Sequence, residues 1–207
     1  MKRASVADLE LALQGWERPP HRDGSGPDRI QAAVCLPLRD TDGGVTVWCI
    51  KRPDGLRHHS REMAFPGGQS DPDDADLEAT AVRETEEELG IPRRDLRVIG
   101  TLAAVPTATS RFTLNPVVAE VAAGAVPNPS PAEVSELVTF RLEDFFLGRL
   151  PYSAVDLGRY TSPIFEFPAG AMYGATAHVL RELLEVYASV CDLELPAPKL
   201  TTTVPWA

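Results

Sequence analysis

Hydrophobic and polar positions alternate along the chain with two periods, one of helices and one of strands. Val6, Leu9, Leu13 and Trp16 recur at helical spacing and predict a short amphipathic helix that stops before the loop chemistry of RPPHRDGSGPD. The runs IQAAVCLPLR and VTVWCIKR are apolar and β-branched and flank DTDGG, so they predict a hairpin, with Pro37 suggesting a sheet edge or a bulge. LRVIGTLAAV and FTLNPVVAEVAA, joined by PTATSR, predict two more strands. VSELVTFRL follows the proline-rich loop VPNPSPAE as another, and SPIFEF is a further candidate. Ala177, Leu180, Leu184 and Tyr187 mark a helix over GATAHVLRELLEVYAS that should cover one face of the sheet. The closing LPAPKLTTTVPWA has no period and several prolines, and is expected to be a loosely docked or disordered tail. The resulting picture is α+β: a mixed β-sheet between α-helices. Residues 1–28 form an N-terminal helix and loop, 29–190 the domain, and 191–207 the tail.

Composition narrows the function. A chain of 207 residues with 43% hydrophobic content can bury a core as one domain. No stretch approaches the roughly 18 to 20 apolar residues of a membrane helix, and Asp8 and Glu10 interrupt the N-terminal apolar positions where a signal peptide would have its core, so a cytoplasmic protein is expected. Cys35, Cys49 and Cys191 lack paired spacing and are expected to be buried thiols. The formal charge of −10 disfavours a nucleic-acid partner. An acidic protein with a phosphorylated ligand needs cations between the two.

The chemistry concentrates in AVRETEEELGI. At 100° per residue, Glu84, Glu87 and Glu88 fall within an arc of about 100° on one helix face. Like charges at these spacings cost a few tenths of a kcal/mol each, so the face needs either solvent or a bound cation. Magnesium, a hard ion that takes carboxylate oxygens and substrate phosphates, suits it. Upstream, Phe65, Pro66, Gly67 and Gly68 form a strand end and a glycine turn where backbone can approach a ligand closely. A calcium loop over Asp71, Asp73 and Asp76 fails in detail, since its sixth position holds Asp76 and its twelfth Val82.

The stretch Gly68 to Ile91 resembles the Nudix box, the signature of Nudix hydrolases. Arg83, Glu84, Glu86, Glu87, Glu88, Leu89, Gly90 and Ile91 match its second half, with Thr85 a polar departure at an apolar position. The first half is one residue longer than the pattern, and its acidic position falls nearest Asp74. That expansion, FPGG, and Leu56, Arg57 and His59 in IKRPDGLRHHSREMAFPGG are similar to the coenzyme A pyrophosphatase branch, as are NPSPAEVSEL and MYGATAHVL. Where that branch usually has Gly-Gln, this chain has Arg61 and Glu62, which puts substrate choice in doubt more than chemistry.

The resemblance implies a Nudix fold and Mg²⁺- or Mn²⁺-dependent hydrolysis of a diphosphate linkage. Coenzyme A or acyl-coenzyme A is the leading substrate, giving 4′-phosphopantetheine or its acyl form and adenosine 3′,5′-bisphosphate. The alternatives are ADP-ribose or another nucleoside diphosphate derivative, and a Nudix-fold binding module without catalysis. Metal ligation falls to Glu84, Glu87, Glu88 and the Gly68 carbonyl, and Arg83, Asp74 and Gly90 are structural in the box. Asp71 and Asp74 are alternatively further ligands or helix caps. Glu133 is favoured over Glu136 as general base, and Arg52, Arg57 and His59 are the substrate contacts. Lys51 alternates away from Arg52, so only one of them should face the site. Trp16, Trp48, Phe112 and Tyr173 are aromatics for adenine stacking or, more commonly, packing. The partner is a small molecule and no membrane is involved. By analogy, a homodimer is the alternative to a monomer.

Overall fold

The computed structural model describes residues 2–19, 28–53, 62–158 and 160–205. Its centre is strand β1, Ile30–Thr41, which pairs in parallel with β7, Phe112–Val121, from Ile30↔Phe112 to Leu38↔Glu120. The other edge of β1 is shared. The short β4, Gly67–Gln69, covers Ala32 to Val34, and β2, Gly44–Lys51, pairs antiparallel from Leu38 to Thr41. Pro37 therefore lies in a central strand, not at an edge or bulge. Its missing N–H falls in the gap between those two partners, where Cys35 N–H donates to Pro66 O at 2.8 Å and pairing with β2 has not yet begun. β3, Met63–Ala64, and β8, Glu136–Arg141, pair with β2, while β5, Leu96–Thr101, and β6, Val105–Pro106, pair with β7.

Strand alternation sorts the core into two faces. Val34, Leu36 and Leu38 of β1 join Val47, Val118 and Phe140 in the larger cluster, with Val6, Leu9 and Leu13 of α1, Val6–Gln14, and Leu180, Leu183, Leu184 and Tyr187 of α4, Gly174–Cys191. On the opposite face Ala33, Cys35, Val117 and Ala119 pack on Ala81 of α2, Leu77–Leu89, and Trp48, Ile50 and Val121 pack on Leu89 and Ile91. Alanines at this contact let α2 lie close to the sheet. Thr85 occupies the same buried side of α2, and its hydroxyl donates to Ala81 O at 2.7 Å, so the polar departure from the helix pattern is satisfied within the helix itself.

A second, four-stranded sheet was not foreseen from the pattern. Its order is β11 (Gly170–Met172), β10 (Thr161–Phe167), β9 (Tyr152–Asp156) and β12 (Lys199–Thr201). Phe145 of the short helix α3, Glu143–Phe146, makes edge contacts with Phe165 and Phe167 of β10 and with Phe140 of β8, and so joins the second sheet to the core of the first. β12 comes from the segment expected to be a loose tail. It adds to β9 in parallel from Lys199↔Ser153 to Thr201↔Val155, because β9 offers it an unpaired edge. No described helix is long and apolar enough to cross a membrane.

Candidate active site

α2 starts at Asp76, whose carboxylate accepts from Ala79 N–H at 2.8 Å; Asp76, not Asp74, caps the helix. It ends at Gly90 in the left-handed region (φ 64°), where a side chain would meet Asn128 O at 2.4 Å. The chain then returns to this helix end. Asn128 N–H donates to Leu89 O at 2.8 Å and Ser130 N–H to Glu88 O at 2.9 Å, so the loop carrying Glu133 hangs from the terminal carbonyls of α2.

Glu88 is the most buried of the three glutamates, 5% exposed, and its Oε2 accepts from Gly67 N–H at 3.0 Å. Burial pushes its carboxyl up to about 8; the Gly67 N–H and the Arg52 charge pull it down, and Glu84 and Glu133 push it further up. Glu84, also withdrawn from solvent, is raised chiefly by burial, partly offset by Arg83. Glu87 is the outward member, with its side chain 52% exposed.

The two glycines explain how this is packed. A Cβ on Gly67 would lie 2.4 Å from Ala33 O and 2.7 Å from Val34 Cα, and one on Gly68 would lie 2.4 Å from Glu84 Oε1. The glycine turn is thus wedged between the central strand and the acidic helix, with Glu84 directly against Gly68.

Arg83 ties the cluster together. Its guanidinium fork closes on Asp74, Nε to Oδ1 and Nη2 to Oδ2, both at 3.0 Å. The remaining nitrogen, Nη1, donates to Glu84 Oε1 at 2.8 Å and Glu87 Oε2 at 3.0 Å. Asp74 also accepts from Asp71 N–H and the Thr80 hydroxyl, and its carboxyl is held well below the usual range, first by Arg83. Asp71 is turned into the same loop and accepts from Asp73 N–H at 3.0 Å.

Among the described residues no three acidic, histidine or cysteine side chains converge as a ready-made metal cage; Glu84 and Glu87 both turn to Arg83 Nη1. The residue set nonetheless fits a hard divalent ion. It offers carboxylate oxygens, a glycine backbone with no Cβ to obstruct it, and in Glu88 a buried carboxylate short of compensating positive charge.

Of the basic candidates, Arg52 faces this cluster. Ile50 and Arg52 lie on the α2 side of β2, and Lys51, opposite Met63, points to the other face, where Met63 is buried. Arg52 Nε is buried without a hydrogen-bond partner. Arg57 and His59 lie outside the described residues, as does Arg61. Glu133 is exposed, with its charge acting on Glu84 and Glu88; Glu136 begins β8 opposite Lys51. The aromatics are otherwise engaged. Trp16 Nε1–H donates to Glu182 at 3.1 Å, Arg39 lies 4.5 Å above the Trp48 ring, and the Tyr173 hydroxyl donates to Glu62 Oε1 at 2.5 Å. The bond from Gly67 N–H to Glu88 had no sequence signal beyond the glycine turn itself, and Tyr173, expected to stack or pack, bonds Glu62. The cleft of about 640 Å³ between Leu77, Glu78, Thr101 and Pro116 opens at the far end of α2 and is lined by none of the three glutamates.

A mixed sheet bearing a glycine turn and a carboxylate-lined helix defines an α+β domain with an acidic cluster beside that turn. The chain belongs to the NUDIX domain family, whose model matches residues 29–161, and it is thereby placed among the Nudix hydrolases. It is 30% identical over 185 residues to a Photorhabdus laumondii protein described as "Uncharacterized Nudix hydrolase NudL", covering 87% of this chain and 97% of that one. A NudL of Pectobacterium atrosepticum is 33% identical over 141 residues, 68% of this chain and 69% of its own. In fold the chain is similar to the Nudix hydrolase RenU of M. smegmatis, with a TM-score of 0.52 and 23% identity over 79% of this chain and 89% of that one.

Proposed function

We propose that this Nudix hydrolase is a divalent-metal-dependent diphosphatase acting on coenzyme A or acyl-coenzyme A, releasing 4′-phosphopantetheine or its acyl form and adenosine 3′,5′-bisphosphate. The observation that carries the reading is Glu88, a carboxylate buried against Gly67 N–H beside Glu84 and Glu87. Such a group is stable as an anion only with a cation nearby. In this reading Glu84, Glu87, Glu88 and the Gly68 carbonyl hold Mg²⁺ or Mn²⁺. When bound, the ion supplies charge neutralisation at the diphosphate and lowers the pKa of a water so that it can attack phosphorus.

The chain's own groups do the rest. Arg83, fixed by Asp74, keeps Glu84 and Glu87 pointing together as two of the carboxylates that would hold the ion. Arg52, with its unsatisfied Nε on the same face, binds an anionic part of the substrate. Glu133, solvent-exposed on the loop anchored to α2, serves as general base. Arg57 and His59 are assigned to substrate by the sequence resemblance. A second substrate class, ADP-ribose or another nucleoside diphosphate derivative, is favoured by one observation: Arg61 and Glu62 stand where the coenzyme A pyrophosphatase branch usually has Gly-Gln.

The deciding experiment is product release with Mg²⁺ and then Mn²⁺ from coenzyme A, acetyl-coenzyme A, dephospho-coenzyme A, ADP-ribose, NADH and dATP. Preference for coenzyme A over dephospho-coenzyme A supports the first reading, and preference for ADP-ribose the second. Glu87→Gln and Glu88→Gln are expected to abolish turnover, a loss of at least about a hundredfold, while circular dichroism shows an intact fold. Undiminished activity in either variant overturns the site; no turnover of any compound by the unaltered chain would favour a binding module.

A further inference from the structure

Asp74 stands two residues ahead of the helix cap Asp76, in the irregular loop between β4 and α2, so the helix does not by itself fix its place. Thr80 and Arg83, three positions apart on α2, share a face, and both reach back to it. Thr80 is fully buried, and its hydroxyl lies 2.8 Å from Asp74 Oδ2, 3.2 Å from Asp76 O and 3.3 Å from Ser70 Oγ. A hydroxyl has one proton to give, and Asp74 is both the nearest of these acceptors and the ionised one. Ser70 N–H donates in turn to Gln31 O of β1 at 3.1 Å, so Thr80 sits where loop, helix and central strand meet. The Asp74 carboxylate, with its side chain 6% exposed, is thereby held by Asp71 N–H at 3.0 Å, by the Thr80 hydroxyl and by the Nε–Nη2 edge of Arg83.

The consequence falls on Arg83. Asp74 occupies Nε and Nη2, and Nη2 also donates to Gln69 O at 3.3 Å, which leaves Nη1 alone for Glu84 and Glu87. A guanidinium released from Asp74 can close its two-nitrogen edge on either glutamate, where it competes with a cation for the same oxygens. We infer that Thr80 is a positioning residue for the divalent ion: acting through Asp74 and Arg83, its hydroxyl keeps the oxygens of Glu84 and Glu87 available to the metal. The inference rests on the diphosphatase reading, whose metal set includes both glutamates.

The test is Mn²⁺ binding to the full chain without substrate, read from the electron paramagnetic resonance signal of the free ion, for the Mn²⁺ that Glu88→Gln fails to hold. Thr80→Val removes the hydroxyl and nearly keeps the shape, and should raise the Kd about three- to tenfold, the worth of one ordinary hydrogen bond. Thr80→Ser keeps the hydroxyl and should stay within about twofold of the unaltered chain. In an Asp74→Asn background, Thr80→Val should add nothing further, because the route from Thr80 to the metal is already broken. Thr80→Ala against Thr80→Ser, a pair that differs only in the hydroxyl, makes the same comparison if Thr80→Val does not fold. A lower melting temperature of the metal-free Thr80→Val chain with an unchanged Kd is what packing alone gives, and it would overturn the role of Thr80; so would equal effects of Thr80→Val with and without Asp74. An unaltered chain that binds Mn²⁺ yet turns over no diphosphate would count against the diphosphatase reading alone, since the Kd comparison still decides the matter for Thr80. Failure of the unaltered chain to bind Mn²⁺ would overturn both.

Discussion

At the scale of single residues, the two glycines of the turn separate stability from chemistry. Gly67 faces backbone: a methyl group there would meet Ala33 O at 2.4 Å and Val34 Cα at 2.7 Å, atoms of the central strand that cannot move without breaking the sheet. Gly67→Ala is expected to cost about 2–4 kcal/mol by overpacking, read as a lower urea midpoint. Gly68 faces the end of a side chain, Glu84 Oε1 at 2.4 Å, which can swing aside. Gly68→Ala should leave the urea midpoint nearly unchanged but lower activity, since the carboxylate that moves belongs to the proposed metal set. Equal destabilisation by both changes would contradict this geometry. The glutamates themselves were legible in the sequence because their spacing fixes their face. The partner of Glu88 was not, since a bond from Gly67 N–H across 21 positions leaves no periodic trace.

The elements show the same division between local and long-range information. α1, α2, α4 and the long strands of the first sheet could be read from period, but β9, β11 and β12 could not. Strands of three to five residues are too short to establish alternation, and β12 exists because β9 has an edge to offer. Pro37 misled for a related reason. A proline cannot donate a ladder hydrogen bond, and only the tertiary arrangement shows that β1 changes partners on that edge. The junction between α2 and the following loop is likewise a tertiary feature, and it joins fold to function. Asn128 and Ser130 donate to the last carbonyls of α2 only because Gly90 turns the chain at positive φ and leaves Asn128 O room to approach. Gly90→Ala combines a left-handed alanine with a 2.4 Å contact to backbone, and should destabilise by about 1–3 kcal/mol. Because Glu133 rides on that loop, the variant should also lose kcat, with KM for the metal little changed. A loss of stability with full kcat would detach Glu133 from the chemistry.

For the molecule as a whole, the acidic cluster couples folding to pH and to cations. Glu88 is raised from an ordinary 4.5 to about 8 by burial, so its neutral form is the one the metal-free fold prefers. A raised folded-state value means the contribution is fully present below about pH 4.5 and lost as pH rises through about 8, a difference on the order of a few kcal/mol. Glu84 and Glu182 are raised in the same direction, also by burial first, and the net charge of −10 adds self-repulsion on the alkaline side. Metal-free protein is therefore expected to melt at a lower temperature at about pH 9 than at about pH 6. Glu88→Gln isolates one share of that slope: it should melt higher than the unaltered chain at the alkaline pH and near it at the acid one. A divalent ion should offset that difference, because it binds the ionised carboxylates and stabilises the folded state in proportion to their availability. Adding Mg²⁺ or Mn²⁺ should thus raise the melting temperature more at about pH 9 than at about pH 6, and the increment should largely vanish in Glu88→Gln. An increment independent of pH, or one retained in the variant, would place the cation elsewhere on this acidic surface.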